Sequence, residues 1–313
     1  MFSNLKGNEK DFSVIISRVQ SKSVFFRIVQ LSCALLLIAG CKPRPDSDTV
    51  QPQTATLTPS LTEAPMAARV NGEGLLLSDF EEEMKRYQAG LSELGQDNDP
   101  AVAKEVVLGM MTSQELLAQS AAKQGYVSDD ASLQTRYEEL AAEAGGADVL
   151  TAWISQNFYT EESFRRALAL DMAAVWMRNK ILAEVPSTAD QVRARQILVT
   201  DENEAFAVER RLQVGTSFET LAYEYDPLTG GDLGWFPNGY LLQPDVEKAA
   251  FSLQARQYSG IIPTSYGFHI VFVMERDGQH PLSPEALLVV QRLALEKWLA
   301  DERAKNTIEI LIP

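Results

Sequence analysis

The sequence predicts an α+β protein: a mostly helical module assembled from both flanks of the chain, plus one small mixed domain between them. Three observations lead there. Apolar residues recur at helical spacing over much of 78–183 and again over 284–305. Between those stretches, 192–276 reads as strand, helix, helix, long loop, short helix, strand, strand. Behind that domain comes a tail, 283–313, whose amphipathic helix and alternating strand need a surface to pack on. The N-terminal strand and helices are the surface it would complete. A chain of 313 residues, 45% hydrophobic and 23% charged, has room for about two globular domains with tails.

The elements follow in order. Ala68–Leu76 reads as a strand and turn, with Asn71-Gly72 as the turn signal. Ser78-Asp79-Phe80-Glu81 reads as a capping box opening a helix through about Ala89. Asp99-Pro100 caps the next helix, with proline at its first position. Its apolar face is Val102, Val106, Val107, Met110, Met111, Leu116 and Leu117, and Gly125 ends it. Helices are expected at about 129–144, 147–156 and 161–183, the last striped by Phe164, Leu168, Met172, Val175, Trp176 and Leu182 and stopped by Pro186. These faces are read as core rather than as a client groove, because every amphipathic helix must bury a face. In the mixed domain, Val192–Val199 is a strand, Glu202–Gln213 and Phe218–Tyr225 are helices, and Tyr258–Pro263 and Phe268–Arg276 are strands. The tail supplies a helix over Pro284–Lys305, apolar at Leu287, Val290, Leu293, Leu295 and Trp298, and a strand over Thr307–Ile312.

A net charge of −15 and a pI near 4.7 argue against nucleic acid as a partner and against electrostatic attraction to an anionic bilayer. Membrane attachment therefore has to be covalent or hydrophobic. The first 40 residues carry Lys6, Lys10, Arg18, Lys22 and Arg27, then an apolar run from Ile28 to Gly40. That run is shorter than the roughly 20 residues a spanning helix needs. A basic leader, a short apolar core and small residues read as an export signal, 1–40. Its end, Ile38-Ala39-Gly40-Cys41, resembles a bacterial lipobox, which implies cleavage before Cys41 and a diacylglycerol on its sulfur. The alternative is a plain secretory signal ahead of an ordinary cysteine. The only other cysteine, Cys33, lies inside the leader, so the exported chain would hold no disulfide. Residues 41–66, rich in Pro, Thr, Gln, Ser and Asp, read as a disordered tether. The expected location is the outer face of the cell membrane.

The strongest motif runs from Gly230 to Ile270. Gly230-Gly231-Asp232-Leu233-Gly234-Trp235-Phe236, then Val246-Glu247-Lys248-Ala249-Ala250-Phe251, then Thr264-Ser265-Tyr266-Gly267-Phe268-His269-Ile270 follow Val192–Val199 in an order that resembles the parvulin family of peptidyl-prolyl isomerases. The resemblance covers 190–278 and implies a βαααββ domain with an antiparallel sheet. Arg69-Val70-Asn71-Gly72-Glu73 and the helices behind it resemble the chaperone region of SurA-like and PrsA-like exported foldases, covering 67–188, with 283–313 packing back on it. Together they imply a membrane-anchored isomerase and chaperone whose partners are unfolded or newly translocated polypeptides. No feature speaks for a particular oligomeric state.

Turning an X-Pro bond means twisting the amide against a barrier of about 18–20 kcal/mol, with no bond broken. Neither metal nor cofactor is required. An apolar pocket for the proline ring and a polar network favouring the twisted amide are enough. By the resemblance, Leu233, Phe236, Leu241 or Leu242, and Val246 are the pocket, and Gln196, Asp226, Thr264 and His269 the network. Gly230, Gly231 and Gly234 are followed by Trp235-Phe236-Pro237 rather than by a helix and a lysine, so they read as tight turns and not as a phosphate cradle. The loop Thr200-Asp201-Glu202-Asn203-Glu204 would repel a phosphate, which favours unmodified proline segments. His280 has no such motif around it.

Two departures from the family pattern stand out. Gln196 occupies the place of the first of two histidines, and Asp226-Pro227-Leu228-Thr229 is a short loop. Glutamine both donates and accepts hydrogen bonds without titrating. If orientation suffices, the domain isomerises. If two imidazoles are needed, it is a proline-peptide binding module in a holdase.

Overall fold

The computed structural model describes residues 64–97 and 99–313. The expected leader, lipidated Cys41 and all but the last residues of the tether lie outside the described residues. The described chain divides into two units: Glu138–Ala152 belongs to one, and Ala64–Tyr137 with Trp153–Pro313 forms the other.

The chain enters on β1 (Met66–Val70), turns at Asn71 and Gly72 with φ of 55° and 86°, and returns as β2 (Glu73–Leu76). Two consecutive positive φ angles make the turn whose twist matches an antiparallel hairpin, which is why Asn-Gly stands there. α1 (Leu77–Glu93) follows without a break. The expected capping box at Ser78 does not form. The Pro65 carbonyl, just ahead of β1, accepts the Leu77 N–H at 2.9 Å, so backbone does the work of a cap and the helix starts two residues early. Asp79 instead pairs with Arg166 at 2.8 Å. α1 also runs past Ala89 and Gly90 and ends only before Gly95, φ 64°.

α2 (Pro100–Lys123) starts as expected, with Asp99 accepting from the Ala101 N–H at 2.7 Å. α3 (Asp130–Ala144) and α4 (Ala147–Gln156) come next. They are separated by Gly145 and Gly146 at φ 98° and 137°, where the Gly146 N–H reaches the Ala141 carbonyl at 2.8 Å. α5 (Glu161–Ala183) opens on a capping box between Thr160 and Ser163. Its buried stripe is Phe164, Leu168, Ala173, Ala174, Met177 and Ile181. Met172, Val175, Trp176 and Leu182, expected on that stripe, are only partly covered, because small alanines let α2 and α5 approach and shift the contact line.

α9 (Pro284–Lys305) lays Leu295 and Leu299 against Leu117, Ala121, Ala173, Ala174, Met177 and Ile181. Of its expected apolar positions, only Leu295 is fully buried. The last strand, β7 (Ile308–Ile310), pairs antiparallel with β1, giving a three-stranded sheet in the order β2-β1-β7. Ala67, Ala68, Val70, Leu75, Phe80, Val107, Leu108 and Leu116 form the core beneath it.

Asn71 ties hairpin to tail: its N–H donates to the Thr307 carbonyl at 2.8 Å and its amide oxygen accepts the Thr307 N–H at 3.1 Å. Its amide nitrogen donates to Gln119 at 2.7 Å, and Gln119 in turn donates to the Val70 carbonyl and to Glu115, both at 2.9 Å. Burial pushes the Glu115 carboxyl up to about 7, with the Glu73 carboxyl beside it adding to the effect. The folded state therefore binds this proton more tightly than the unfolded chain, whose carboxyl titrates near 4.5. Its stabilising contribution is full below 4.5 and is lost as pH rises to about 7. In chemical denaturation at pH 4.5 and 7.5, Glu115→Gln is expected to gain on the wild type by on the order of 2 kcal/mol across that interval. A constant difference would remove the carboxyl from the account.

The central domain is a four-stranded antiparallel sheet in the order β4-β3-β6-β5, formed by β3 (Thr188–Val199), β4 (Asp232–Pro237), β5 (Ile262–Thr264) and β6 (Gly267–Pro281). α6 (Glu202–Gln213) and α7 (Phe218–Tyr225) cover one face, where Ile197, Val199, Val208, Leu212, Phe218, Leu221 and Ile270 are buried. α8 (Pro244–Ser252) covers the other, over Val192, Ala194, Phe236, Val246, Ala250, Val271 and Val273.

Three expectations need correction. The stretch expected to be a long loop contains an edge strand, β4, too short and too interrupted by Gly234 to show a period, and its terminal Pro237 is tolerated at an edge. The strands expected at Val192–Val199 and Phe268–Arg276 are longer, since Thr188 pairs with Pro281 and Ala189 with His280. Of the strand expected at Tyr258–Pro263, only Ile262 and Pro263 lie in β5, while Tyr258 makes a single bridge to Phe272.

Candidate functional site

Side chains on a strand alternate between faces. Gln196 therefore points the same way as Val192 and Ala194, and His269 the same way as Val271 and Val273, toward the α8 face. In register, Gln196 lies opposite Val271, and His269 lies between Leu198 of β3 and Ile262 of β5. His269 is buried, 2% exposed, with both ring nitrogens engaged. Nδ1 is 2.8 Å from Gln196 Oε1, and Nε2 is 3.0 Å from Thr264 Oγ1. Three of the four expected network residues thus form one hydrogen-bonded chain.

With Nδ1–H donating to the Gln196 oxygen, the bare Nε2 accepts the Thr264 hydroxyl. That hydroxyl has a second acceptor in the Gly267 carbonyl at 3.2 Å, and its oxygen accepts the Tyr266 N–H at 3.1 Å. Turning over the Gln196 amide would serve the other tautomer equally well. Burial holds the His269 imidazole below its ordinary 6.5, so the network is uncharged at neutral pH.

Asp226 lies elsewhere. Its carboxylate accepts the backbone N–H groups of Leu228 at 3.1 Å, Thr229 at 3.2 Å and Gly231 at 3.1 Å, together with the Thr229 hydroxyl. Those bonds, led by the Thr229 hydroxyl, hold it down at about 2. It reaches the network only through the backbone: Gly231, which it fixes, accepts the Gln196 N–H at 2.9 Å. The resemblance grouped Asp226 with the network, but the structure makes it the organiser of the loop. A Cβ on Gly231, φ 64°, would overlap the Gln196 carbonyl oxygen, so only glycine lets β3 and this loop close.

The expected pocket residues divide. Phe236 and Val246, 0% and 1% exposed, are the floor. Leu233 and Leu241, partly covered, pack against that floor and form its rim. Leu242, 88% exposed, is not part of it. Within the loop neither strand nor helix period applies, so the sequence could not decide between Leu241 and Leu242.

Two residues escaped the sequence reading. Leu198, directly opposite His269, is a large exposed apolar side chain on the site's face, and strand alternation from Gln196 would have found it. Glu247 is a buried carboxylate under the rim, signalled only as a charge inside the apolar pattern of α8. His280 stacks on Trp235, ring centroids 3.9 Å apart, near the far end of the sheet. Among the described residues, no group of three or more His, Cys, Asp or Glu side chains is arranged to hold a metal ion.

An antiparallel sheet that carries a histidine–amide–hydroxyl chain on the same face as the Phe236–Val246 apolar cluster is the arrangement of a parvulin-type rotamase domain. In agreement, residues 181–275 match the rotamase family described as PPIC-type PPIASE domain. Outside that domain too, the chain is similar to foldase proteins named PrsA. It is 33% identical over 183 residues to the foldase protein PrsA of Caldanaerobacter subterraneus subsp. tengcongensis, covering 54% of this chain and 56% of that one. It is 27% identical over 304 residues to the foldase protein PrsA 2 of Bacillus anthracis, covering 93% and 88%. With the foldase protein PrsA of Bacillus subtilis the match is 39% over 94 residues, covering 29% of this chain and 32% of that one. The chain thus spans just over half of the first of these relatives and about a third of the last. Among solved structures, the peptidylprolyl isomerase PrsA from Bacillus cereus superimposes with a TM-score of 0.42 at 21% identity, over 77% of this chain and 88% of that one.

Proposed function

We propose that this chain is an exported peptidyl-prolyl isomerase and folding chaperone, acting on unmodified X-Pro bonds of translocated polypeptides and held by a lipid on Cys41 to the outer face of the cell membrane. The observation that carries the reading is the Gln196–His269–Thr264 chain beside the Phe236–Val246 floor. The names of the relatives, foldase protein PrsA, support it.

The proline ring rests on the rim of Leu233 and Leu241. An apolar wall cannot solvate the charge-separated planar amide, so it favours the twisted form, whose carbonyl is more ketone-like. The neutral network supplies hydrogen bonds without moving a full charge, which suits a reaction that transfers no proton. Thr200–Glu204, with Asp201, Glu202 and Glu204, sets the preference for proline segments without phosphate. The lipid anchor and outer location rest on the sequence Ile38-Ala39-Gly40-Cys41 and on the basic leader before it.

The test is slow refolding of a protein limited by proline isomerisation, in which the chain should accelerate the slow phase. No acceleration by a folded sample removes the enzyme. A second reading, a holdase that uses this domain to bind proline segments without turning them, is favoured by Gln196 standing where the family has histidine. Gln196→His separates the two. Because Gln196 already accepts from His269, the substitution is expected to leave kcat/KM within about threefold. A gain far beyond that would show a natural site tuned for binding.

A further inference from the structure

Glu247 is 8% exposed and, among the described residues, makes no ion pair that would explain burying a carboxylate. Its bonds go to three successive backbone N–H groups of one loop: Gly239 to Oε1 at 2.6 Å, and Tyr240 and Leu241 to Oε2, both at 2.8 Å. Both oxygens are used, and charge-assisted bonds of this length are the strong kind. The loop they gather carries Leu241, a rim residue of the proline hollow, while Val246, the neighbour of Glu247 on α8, is in its floor. One turn of helix therefore sets floor and rim together.

The same loop is braced from outside. Gly239 sits at φ 82°, and a Cβ there would lie 2.5 Å from Leu293 Cδ1. Leu293 belongs to α9, whose Leu295 and Leu299 are packed into the helical module. The rim of the hollow is thus held between a carboxylate of the rotamase domain and a leucine anchored in the helices.

We propose that Glu247 is a positioning residue of the proline site: its carboxylate fixes the backbone of Gly239–Leu241 so that Leu241 meets the substrate, with Leu293 bracing the loop from α9. The role concerns binding of the ring, not the twist of the amide. Its signature is a rise in KM at constant kcat, and it rests on the reading of this domain as a proline-segment site.

The experiment uses the full chain and a short unmodified peptide with one Ala-Pro bond. Glu247→Gln keeps size but can offer an oxygen to only one side of the loop, leaving a donor against the others. The variant is expected to raise KM and the peptide Kd about tenfold, with kcat within about twofold. Hydrogen exchange at Gly239, Tyr240 and Leu241 should quicken. Leu293→Ala, remote from every backbone bond of the loop, should raise KM about threefold and quicken the same amides less. Leu293→Met should restore the wild-type value. Faster exchange with unchanged KM would overturn the proposal by making the contact merely structural, and so would a fall in kcat at constant KM. A wild type that fails to bind the peptide would instead overturn the functional reading itself. In contrast, a wild type that binds, beside variants that bind equally, overturns only the role of Glu247.

Discussion

Replacing Gly231 by alanine is expected to cost the rotamase domain about 3 kcal/mol or more and to abolish peptide binding at the temperature where the wild type works. Two costs combine. The residue sits at φ 64°, which an L side chain occupies at about 1–2 kcal/mol. Its Cβ would also overlap a backbone oxygen, that of Gln196, and a strand paired on both sides cannot step away. Three bonds depend on this approach: Gln196 N–H to Gly231, Gly231 N–H to Asp226, and through them the seating of the Gln196 amide on His269. Gly234→Ala is the control. It has nearly the same φ, 68°, but open space where the Cβ would stand, so only the backbone penalty applies. Chemical denaturation of the two variants should separate them clearly. Equal losses would mean that the close approach contributes nothing.

Removing the imidazole should have the largest effect on rate. His269→Ala leaves the Gln196 oxygen and the Thr264 hydroxyl facing a vacated, buried space, and kcat/KM is expected to fall about 100-fold. Thr264→Val, which removes the hydroxyl's bonds to His269 and to the Tyr266 N–H and keeps the shape, should cost about tenfold. In both, peptide Kd should stay within about threefold of the wild type, because floor and rim are untouched. The split matters more than the size. A fall carried entirely by weaker binding would assign His269 to the pocket and leave the twist of the amide without a polar contributor. This pattern is the reverse of that expected for Glu247→Gln, and the two variants together separate the polar half of the site from the apolar half.

Much of the architecture could be read because local chemistry and long-range packing agreed. Asp99-Pro100 is a cap, a proline and a helix start all at once, and α2 begins there. Asn71-Gly72 permits one kind of turn, and the hairpin uses it. Where tertiary contacts replaced local signals, reading failed. The Pro65 carbonyl accepts the Leu77 N–H and the helix begins there, which places Ser78 inside it and not at its cap. β4 is a six-residue edge strand interrupted by Gly234 and closed by Pro237, and nothing periodic marks it.

The site divides in the same way. Gln196 and His269 were legible because strand alternation and motif order point to the same face. The task of Asp226 was not, because it is defined by three backbone N–H groups and a hydroxyl that come together only when the loop folds. Glu247 was hidden for the same reason: a carboxylate that meets backbone alone leaves no partner residue in the sequence to reveal it.

The most direct test is the cis-to-trans relaxation of a short Ala-Pro peptide, followed by NMR exchange with the full chain at neutral pH, beside His269→Ala at the same concentration. The wild type should exchange the peptide well above the spontaneous rate, while the variant binds it and exchanges it close to background. A wild type that binds the peptide yet leaves its isomerisation at the spontaneous rate would contradict the assignment of catalysis to the Gln196–His269–Thr264 chain.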